Sequence, residues 1–566
     1  MSHCANDNRD AFTYTMAQLD PKVGDLKANY DSIKKAHDAA RIVGTALVIT
    51  PELSLTGYPT DDLTLRPEFL DNIRDYVAQL AGDTKDGPAL IIGAPWVVDG
   101  RIYNAALTLQ DGRIAHVNCK HDLPQYGPFD DPRVFASCDF GAPITIKGHQ
   151  IGLLICEDAW TTTYAEHLKN QGAEILISVN ASPFEEGKED ARHAIARACV
   201  KATGCPMLYV NQIGAQDELL FDGASFVMDH NGDITTRMPE WQEGINHNAF
   251  EYIKGQATPI PSFIDLAPRL DAEASLYTGL VLAIRDYAGK NGFKTAVIGI
   301  SGGADSALTT ALAVDALGAK NVHALMLPSG YTSDESHVDA SFTARSLGCH
   351  YSQDLSIAAP FEAIKGELKK RWDASNVQIT MENIQARLRM LMLFAVSNEE
   401  NHLVLNTSNK SEVAMGHSTV YGDTAGGFAP LMDIFKTRVF ALSKWRNEHT
   451  SPIGYGPAHI VISPNIFVKD PTPELSPNQT DRDLLPPYDV LDPIIKALVE
   501  DERSTADIIK DGADAATVYM IQHKMQKQQF KRFQMPPGPK VTKRSFNKRE
   551  RRYPITNGHV PMRRPV

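Results

Sequence analysis

No apolar stretch in this chain approaches the ~18 residues a membrane helix needs. The longest, such as IGLLIC at 151–156, are the size of buried strands. The start, MSHCANDNRD, lacks a basic end followed by an apolar run, so no secretory signal is expected. No C-x-x-C occurs. The seven cysteines, at 4, 119, 138, 156, 199, 205 and 349, are odd in number, which argues against a disulfide framework or a zinc ribbon. Each is most simply a reduced, half-buried thiol. No internal repeat is visible. The expectation is a soluble, cytoplasmic protein with no membrane partner.

What is present is ordinary globular composition, 43% hydrophobic and 22% charged. A length of 566 residues allows roughly two to four domains. The segment KGQATPIPSFIDLAPRLDAEA, 254–274, has three prolines and loses hydrophobic periodicity. It divides the chain into a first domain over 1–255, a linker over 256–274 and a second domain over 275–566.

The first half alternates apolar strands (TALVIT at 45–50, PALIIGAP at 88–95, IGLLIC, AEILISVN at 173–180) with helical stretches. RIYNAALTLQDGRIAHVNCK, 101–120, predicts a hairpin turning at Asp111-Gly112. A second hairpin is expected over 225–238. Sandwiched sheets with helices outside fit this pattern. The second half reads as regular alternation of strand and helix, which predicts a parallel, doubly wound sheet.

At 296–306 a strand runs into Ser301-Gly302-Gly303-Ala304-Asp305-Ser306 and a helix follows. Free N–H groups at a helix start cradle anions, and glycines let the ligand approach closely. This is not the G-x-x-x-x-G-K-[ST] loop, because it holds no lysine. Asp305 repels phosphate unless a divalent cation lies between them, so the loop is expected to hold Mg²⁺-pyrophosphate. It resembles the Ser-Gly-Gly-x-Asp-Ser loop of ATP pyrophosphatases, which cleave ATP between the α and β phosphates to adenylate an acceptor.

Cys156 in LLICEDAW ends a buried strand, as do Glu52 in ALVITPELSLTGYP and Lys120 in IAHVNCKHDLPQYGP. If those strand ends meet, a thiol, a carboxylate and an ammonium share a pocket able to hydrolyse an amide. Glu52 would take the thiol proton, Cys156 would attack, and Lys120 would stabilise the oxyanion and favour thiolate. P-E-x-x-x-x-G-Y-P, K-x-x-L-P-x-Y-x-x-F-x-x-x-R-x-F and C-E-D-x-W are similar, in the same order, to the signatures of nitrilase-type glutaminases. The likeness covers roughly residues 10–250. It implies Glu52 as general base, Lys120 on the oxyanion side, Cys156 as nucleophile, and Tyr126, Ser182 and Lys188 as glutamine contacts.

The whole chain resembles the glutamine-dependent NAD synthetases. NTSNKSEVAMGHSTVYGDTAGGFAPLMDIFKTRVFAL (406–442), ELSPNQTDRDLLPPYDVLD (474–492) and PPGPKVTKRSF (536–546) carry that likeness through the second half. It implies an α/β chain, a nitrilase-like αββα sandwich followed by a Rossmann-like, adenine-nucleotide-hydrolase-type sheet. It also implies deamido-NAD, ATP and glutamine as substrates, Mg²⁺ as cofactor, a dry passage for ammonia, and a homo-oligomer.

The residues follow from the matching motifs. Gly299, Ile300, Ser301, Gly302, Gly303, Ala304, Asp305, Ser306 and Thr407 would hold ATP, with Lys436 supplying the cation the loop lacks. Asp305 and Glu412 would be the metal ligands. Asn383, Arg387, Glu412 and Lys531 would face deamido-NAD. The likeness breaks at Lys531-Arg532-Phe533, where the family usually carries adjacent arginines.

Net charge is −13, yet residues 521–566 hold thirteen Lys and Arg against Glu550 alone. By charge, such a tail binds nucleic acid, folds back over an anionic small molecule, or is simply solvated. The Lys531 match favours folding back, with no nucleic acid partner. The rival reading is an RNA-modifying ATP pyrophosphatase that grips RNA with this tail.

Overall fold

The computed structural model describes residues 10–260, 266–371, 378–469, 472, 474–476 and 485–559. Cys4, part of the expected linker, residues 477–484 of the ELSPNQ stretch and Arg563 and Arg564 of the basic tail lie outside the described residues. The chain forms two compact units, Met1–Leu270 and Asp271–Val566.

The first unit opens with β1 (Phe12–Gln18), α1 (Leu26–Val43), β2 (Leu47–Ile49), α2 (Pro67–Asp83), β3 (Ala89–Val98), β4 (Arg101–Gln110) and β5 (Arg113–Cys119). It continues with β6 (Ile144–Ile146), β7 (His149–Ile155), α3 (Thr163–Asn170), β8 (Ile175–Asn180), α4 (Lys188–Thr203) and β9 (Met207–Asn211). The last strands are β10 (Ile213–Gln216), β11 (Leu219–Asp222), β12 (Phe226–Met228), β13 (Ile234–Arg237), β14 (Gly244–Ile253) and β15 (Gln256–Pro259).

One sheet has the order β15-β14-β1-β2-β3-β4-β5 and the other β13-β12-β9-β8-β7-β6, while β10 and β11 pair apart. Strand alternation explains the layers. Phe12, Tyr14, Met16 and Ile49 of the first sheet meet Leu153, Ile155, Ile177 and Leu208 of the second in a buried core. The opposite faces, through Val48, Leu90 and Leu107, pack on Ile33, Ala36, Ile73 and Val77 of α1 and α2. Leu154, Leu176 and Met207 likewise pack on Leu168, Ala196 and Val200 of α3 and α4. The result is the αββα sandwich expected.

Helix α1 starts where the Asp25 side chain accepts from Ala28 N and stops at Gly44 in the left-handed conformation. The β4–β5 hairpin turns at Asp111 and Gly112, with φ of 52° and 78°. The expected linker needs revision at its start. Gln256–Pro259 pairs antiparallel with β14, and Leu266 bridges to Arg237, so these residues belong to the first unit.

The second unit contains α5 (Ala272–Lys290), β16 (Ala296–Gly299), α6 (Ala304–Leu317), β17 (Val322–Leu325), α7 (Asp334–Leu347), β18 (His350–Ser352), α8 (Ala358–Leu368), α9 (Gln378–Glu400) and β19 (Leu403–Val404). Its remaining helices are α10 (Lys410–Met415), α11 (Lys436–Glu448), α12 (Tyr488–Val499), α13 (Thr505–Lys510), α14 (Ala515–Lys527) and α15 (Gln529–Arg532). The sheet order is β18-β17-β16-β19, every pair parallel. Nearly every turn of α5 and α6 is buried, as helices inside a layered domain require. No helix among the described residues is long and apolar enough to cross a membrane.

The tail folds back. Asp433 accepts from the amides of Val541 and Thr542 at 2.9 and 2.8 Å. Buried Lys410 donates to Glu500, Thr542 Oγ1 and the Arg544 carbonyl. Arg532, Lys540 and Arg551 of the tail are themselves buried.

Candidate functional site

In the first unit the loops beyond one end of the sandwich converge. Glu52 lies three residues past β2, Lys120 directly follows β5, Cys156 directly follows β7, and Ser182 stands two past β8. Two of these strands belong to each sheet, so it is the packing of the sheets that gathers the residues.

Lys120 is the hub. Its ammonium donates to Glu52 Oε1 and to Asp131 Oδ2, each at 2.8 Å, and all three side chains are almost wholly buried. Glu52 is held further by Asn104 Nδ2 at 2.7 Å on Oε1 and by the Ala181 amide at 2.9 Å on Oε2. Tyr58 Oη donates to Asp131 Oδ1 at 3.0 Å. Burial works to lower the Lys120 pKa, but Glu52 and Asp131 outweigh it and hold the ammonium charged above the usual lysine range. Burial pushes the Asp131 carboxyl up against the opposing pull of Lys120.

Cys156 is 7% exposed and has φ +47° in the left-handed region, a strained conformation for a side chain with a Cβ. Burial pushes its thiol well up, and the Glu52 charge adds to this against Lys120. Lys120 pulls the thiol towards thiolate, as expected, but desolvation and the Glu52 charge act more strongly in the other direction. Asp158, in the turn after Cys156, accepts from the amides of Ile155, His121 and Asp122 at 2.8–3.0 Å, tying the Cys156 turn to the Lys120 strand end. Burial raises its carboxyl to about 7.

The expected glutamine contacts surround this centre. Tyr126 Oη donates to Glu157 at 3.1 and 3.0 Å. Lys188 Nζ stands 5.8 Å from the ring centres of both Phe129 and Trp160. Ser182 is buried. Its hydroxyl accepts from Arg192 Nε at 3.1 Å, and Arg192 also grips both oxygens of Asp222 at 2.7 Å. Glu157, whose carboxyl burial raises, feels both Lys120 and Lys188. Asp131, Asn104 and Glu157 were not singled out from sequence. Only Glu157, beside Cys156 in the CEDAW motif, carried a signal.

The second unit holds a cavity of about 830 Å³ beyond the carboxyl end of β16. Gly299, Ile300, Ser301, Gly303, Ala304, Asp305 and Ser306 line it, together with Asn383, Thr407, Glu412, Lys436 and Lys531. Gly302 is buried behind the loop at φ +79°, where an added Cβ would stand 2.4 Å from the Ser336 carbonyl. Ser301 Oγ and Ser306 Oγ are 3.1 Å apart, and Ser306 Oγ donates to the Gly303 carbonyl. These bonds hold the loop's curve, so the first-turn amides of α6 stay free of side-chain caps.

Asp305 accepts from Asn409 Nδ2 at 2.9 Å and pairs with Lys436 Nζ. Asn409 caps α10 and exchanges hydrogen bonds with Glu412, so it stands between the two carboxylates. Two carboxylates on one cavity form the hard oxygen donor set that Mg²⁺ prefers. Lys531 Nζ donates to the carbonyls of Gly416 and Ser418, both at 2.7 Å.

Two expected contacts do not line the cavity: Gly302, buried behind the loop, and Arg387. Arg387 is exposed and donates from Nε to the Val420 carbonyl. Arg389 lines the cavity instead, donating to the Leu327 carbonyl at 3.1 Å. Burial lowers its pKa to about 10. Arg532 turns inward to the carbonyls of Val413 and Ala414, and Phe533 is 38% exposed.

Fold and sites together define a carbon–nitrogen hydrolase joined to an NAD synthase. Residues 13–251 match the carbon-nitrogen hydrolase family and 276–536 the NAD synthase family. A glutamine-dependent NAD(+) synthetase of Rhodobacter capsulatus is 44% identical over 548 residues, 97% of this chain and 99% of that protein. One from Xanthomonas campestris is 41% identical over 96% and 97%. The structure of the Acinetobacter baumannii enzyme in complex with ADP superposes with a TM-score of 0.76 at 37% identity, covering 98% of this chain and 100% of that one. The chain belongs to the glutamine-dependent NAD(+) synthetase family.

Proposed function

We propose that the chain hydrolyses glutamine to glutamate and ammonia in its first unit. In its second unit it adenylates deamido-NAD(+) with ATP and amidates the adenylate to NAD(+), releasing AMP and pyrophosphate. The observation that carries this is the pairing, on one chain, of a strained, buried thiol beside the Lys120–Glu52 ion pair with a phosphate loop facing two carboxylates.

In the first reaction Glu52 takes the proton from Cys156 as the sulfur attacks the amide carbon. Burial pushes the thiol pKa up, so attack calls for such a base. Lys120, fixed between two carboxylates, supports the oxyanion. Ammonia leaves with the proton from Glu52, and water then resolves the thioester to glutamate. The mouth fits an amino acid. Glu157, with Tyr126, presents an acceptor for the α-ammonium, and Lys188 a cation for the α-carboxylate.

In the second reaction the first-turn amides of α6 receive phosphate oxygens. Lys436 and Lys531 bring cations to the cavity, the second facing the dinucleotide, as does Asn383. Asp305 and Glu412 would hold Mg²⁺, which supplies charge neutralisation for the phosphates when bound. The nicotinate carboxylate displaces pyrophosphate from the α phosphorus, and ammonia then displaces AMP. Because ATP and glutamine are cytoplasmic metabolites, the reaction belongs in the cytoplasm; a homo-oligomer rests on the family likeness alone.

The test is product stoichiometry. With glutamine, Mg²⁺, ATP and deamido-NAD, purified protein should yield NAD, AMP and pyrophosphate in equal amounts. Formation of ADP and phosphate would reject the reading.

A further inference from the structure

Three histidines and a glutamate gather at the end of the four-stranded sheet remote from the phosphate loop. His323 is the second residue of β17, His350 opens β18, and the two are register partners. His402 directly precedes β19, and Glu400 is the last residue of α9. All four strands are parallel, so these positions lie at their amino ends while the loop follows the carboxyl end of β16.

The His323 ring centre is 4.1 Å from that of His402 and 4.6 Å from that of His350. His402 Nε2 lies 2.8 Å from Glu400 Oε2, and its Nδ1 lies 2.7 Å from Thr295 Oγ1. Ligand atoms of His323, Glu400 and His402 all fall within 4.8 Å of one another. His323 is half-buried, yet among the described residues its ring nitrogens make no hydrogen bond.

We propose that His323, Glu400 and His402 bind one divalent transition-metal ion of the zinc class, solvent completing its coordination. Two imidazoles and one carboxylate suit zinc, cobalt or nickel, whereas Mg²⁺ and Ca²⁺ take oxygen donors. The Thr295 hydroxyl on Nδ1 fixes the His402 ring so that Nε2 faces the ion, the usual outer support of a ligating imidazole. Bonds of about 2.0–2.1 Å place tetrahedral ligand atoms roughly 3.4 Å apart. The ligand atoms, within 4.8 Å of one another, have only a short distance to close, and Glu400 is exposed and His323 half-buried. Bound there, the ion ties the end of α9 to β17 and β19. The same helix carries Asn383 and Arg389 to the nucleotide cavity. This site is separate from any Mg²⁺ at Asp305 and Glu412.

The experiment titrates chelator-stripped, full-length protein with Co²⁺ and follows visible absorption. With excess Mg²⁺ present to fill oxygen-donor sites, one equivalent should bind with ligand-field bands but no sulfur-to-metal charge transfer, since the cluster holds no thiol. Zn²⁺ should displace it and further Mg²⁺ should not. His323→Ala should weaken binding by roughly tenfold or more. Glu400→Gln, at an exposed helix end, should weaken it as well, so the test does not hang on one variant's folding. Both variants should still form NAD without added Co²⁺. Equal affinity in wild type and both variants, a thiolate band, or no binding by the wild type would each overturn the proposal.

Discussion

Replacing Lys120 with methionine tests whether one ammonium holds the first site together. The change keeps the side-chain length and removes a charge that donates to Glu52 and Asp131 at 2.8 Å each, all three groups being almost wholly buried. Breaking a buried pair by deleting one partner costs about 3–5 kcal/mol, because the remaining charge is left uncompensated. For a unit of this size, at roughly 2–4 °C per kcal/mol, that lowers Tm by about 6–20 °C.

The loss should depend on pH. Burial already pushes the Asp131 carboxyl up against the pull of Lys120, so without that ammonium Asp131 binds a proton at a pH where the unfolded chain does not. A folded state that binds the extra proton is relatively more stable at low pH and loses that stability as pH rises. The Tm deficit of Lys120→Met against wild type should therefore be larger at pH 8 than at pH 5.5. Differential scanning calorimetry across that range reads it, with glutamine hydrolysis assayed in parallel and expected to be abolished. A Tm unchanged at both pH values, together with retained hydrolysis, would refute the reasoning.

Tyr126→Phe and Glu157→Gln remove one hydrogen-bonded pair at the mouth of the site. Each should raise KM for glutamine several-fold while ammonia-driven NAD formation is unchanged, as steady-state kinetics with both donors would show. Gly302→Ala forces a Cβ to 2.4 Å from the Ser336 carbonyl at φ +79°. It should cost about 1–2 kcal/mol for the left-handed backbone alone and weaken ATP binding, measured by calorimetric titration, while leaving glutamine hydrolysis intact.

The apolar runs put Glu52, Lys120 and Cys156 at or just past strand ends, but it was the likeness of motif that joined them into one site. Asp131 and Asn104 were not legible. Asp131 opens a single short 3-10 turn, too brief to show periodicity, and Asn104 reads as an ordinary strand residue until β4 is registered against β5. The charge state of Cys156 was also beyond reach, because it depends on how completely the thiol is desolvated. In the second unit the order strand, glycine turn, helix was legible, and the turn does border a cavity. A helix turns about 100° per residue, however, so Arg387 points away from the face that carries Ala386, Met390 and Leu393 into the cavity, and likeness of motif did not reveal that. Gln256–Pro259 was missed as a strand because it is short and edge-lying, and its pairing with β14 is set by the sheet rather than by its own residues.

The central claim is that nitrogen is released at one site and the acid activated at another. Cys156→Ala with two nitrogen donors tests it most directly. The variant should make no NAD from glutamine yet make it from ammonium at alkaline pH at a rate close to wild type. A folded variant that fails with both donors, or succeeds with glutamine, would contradict the account.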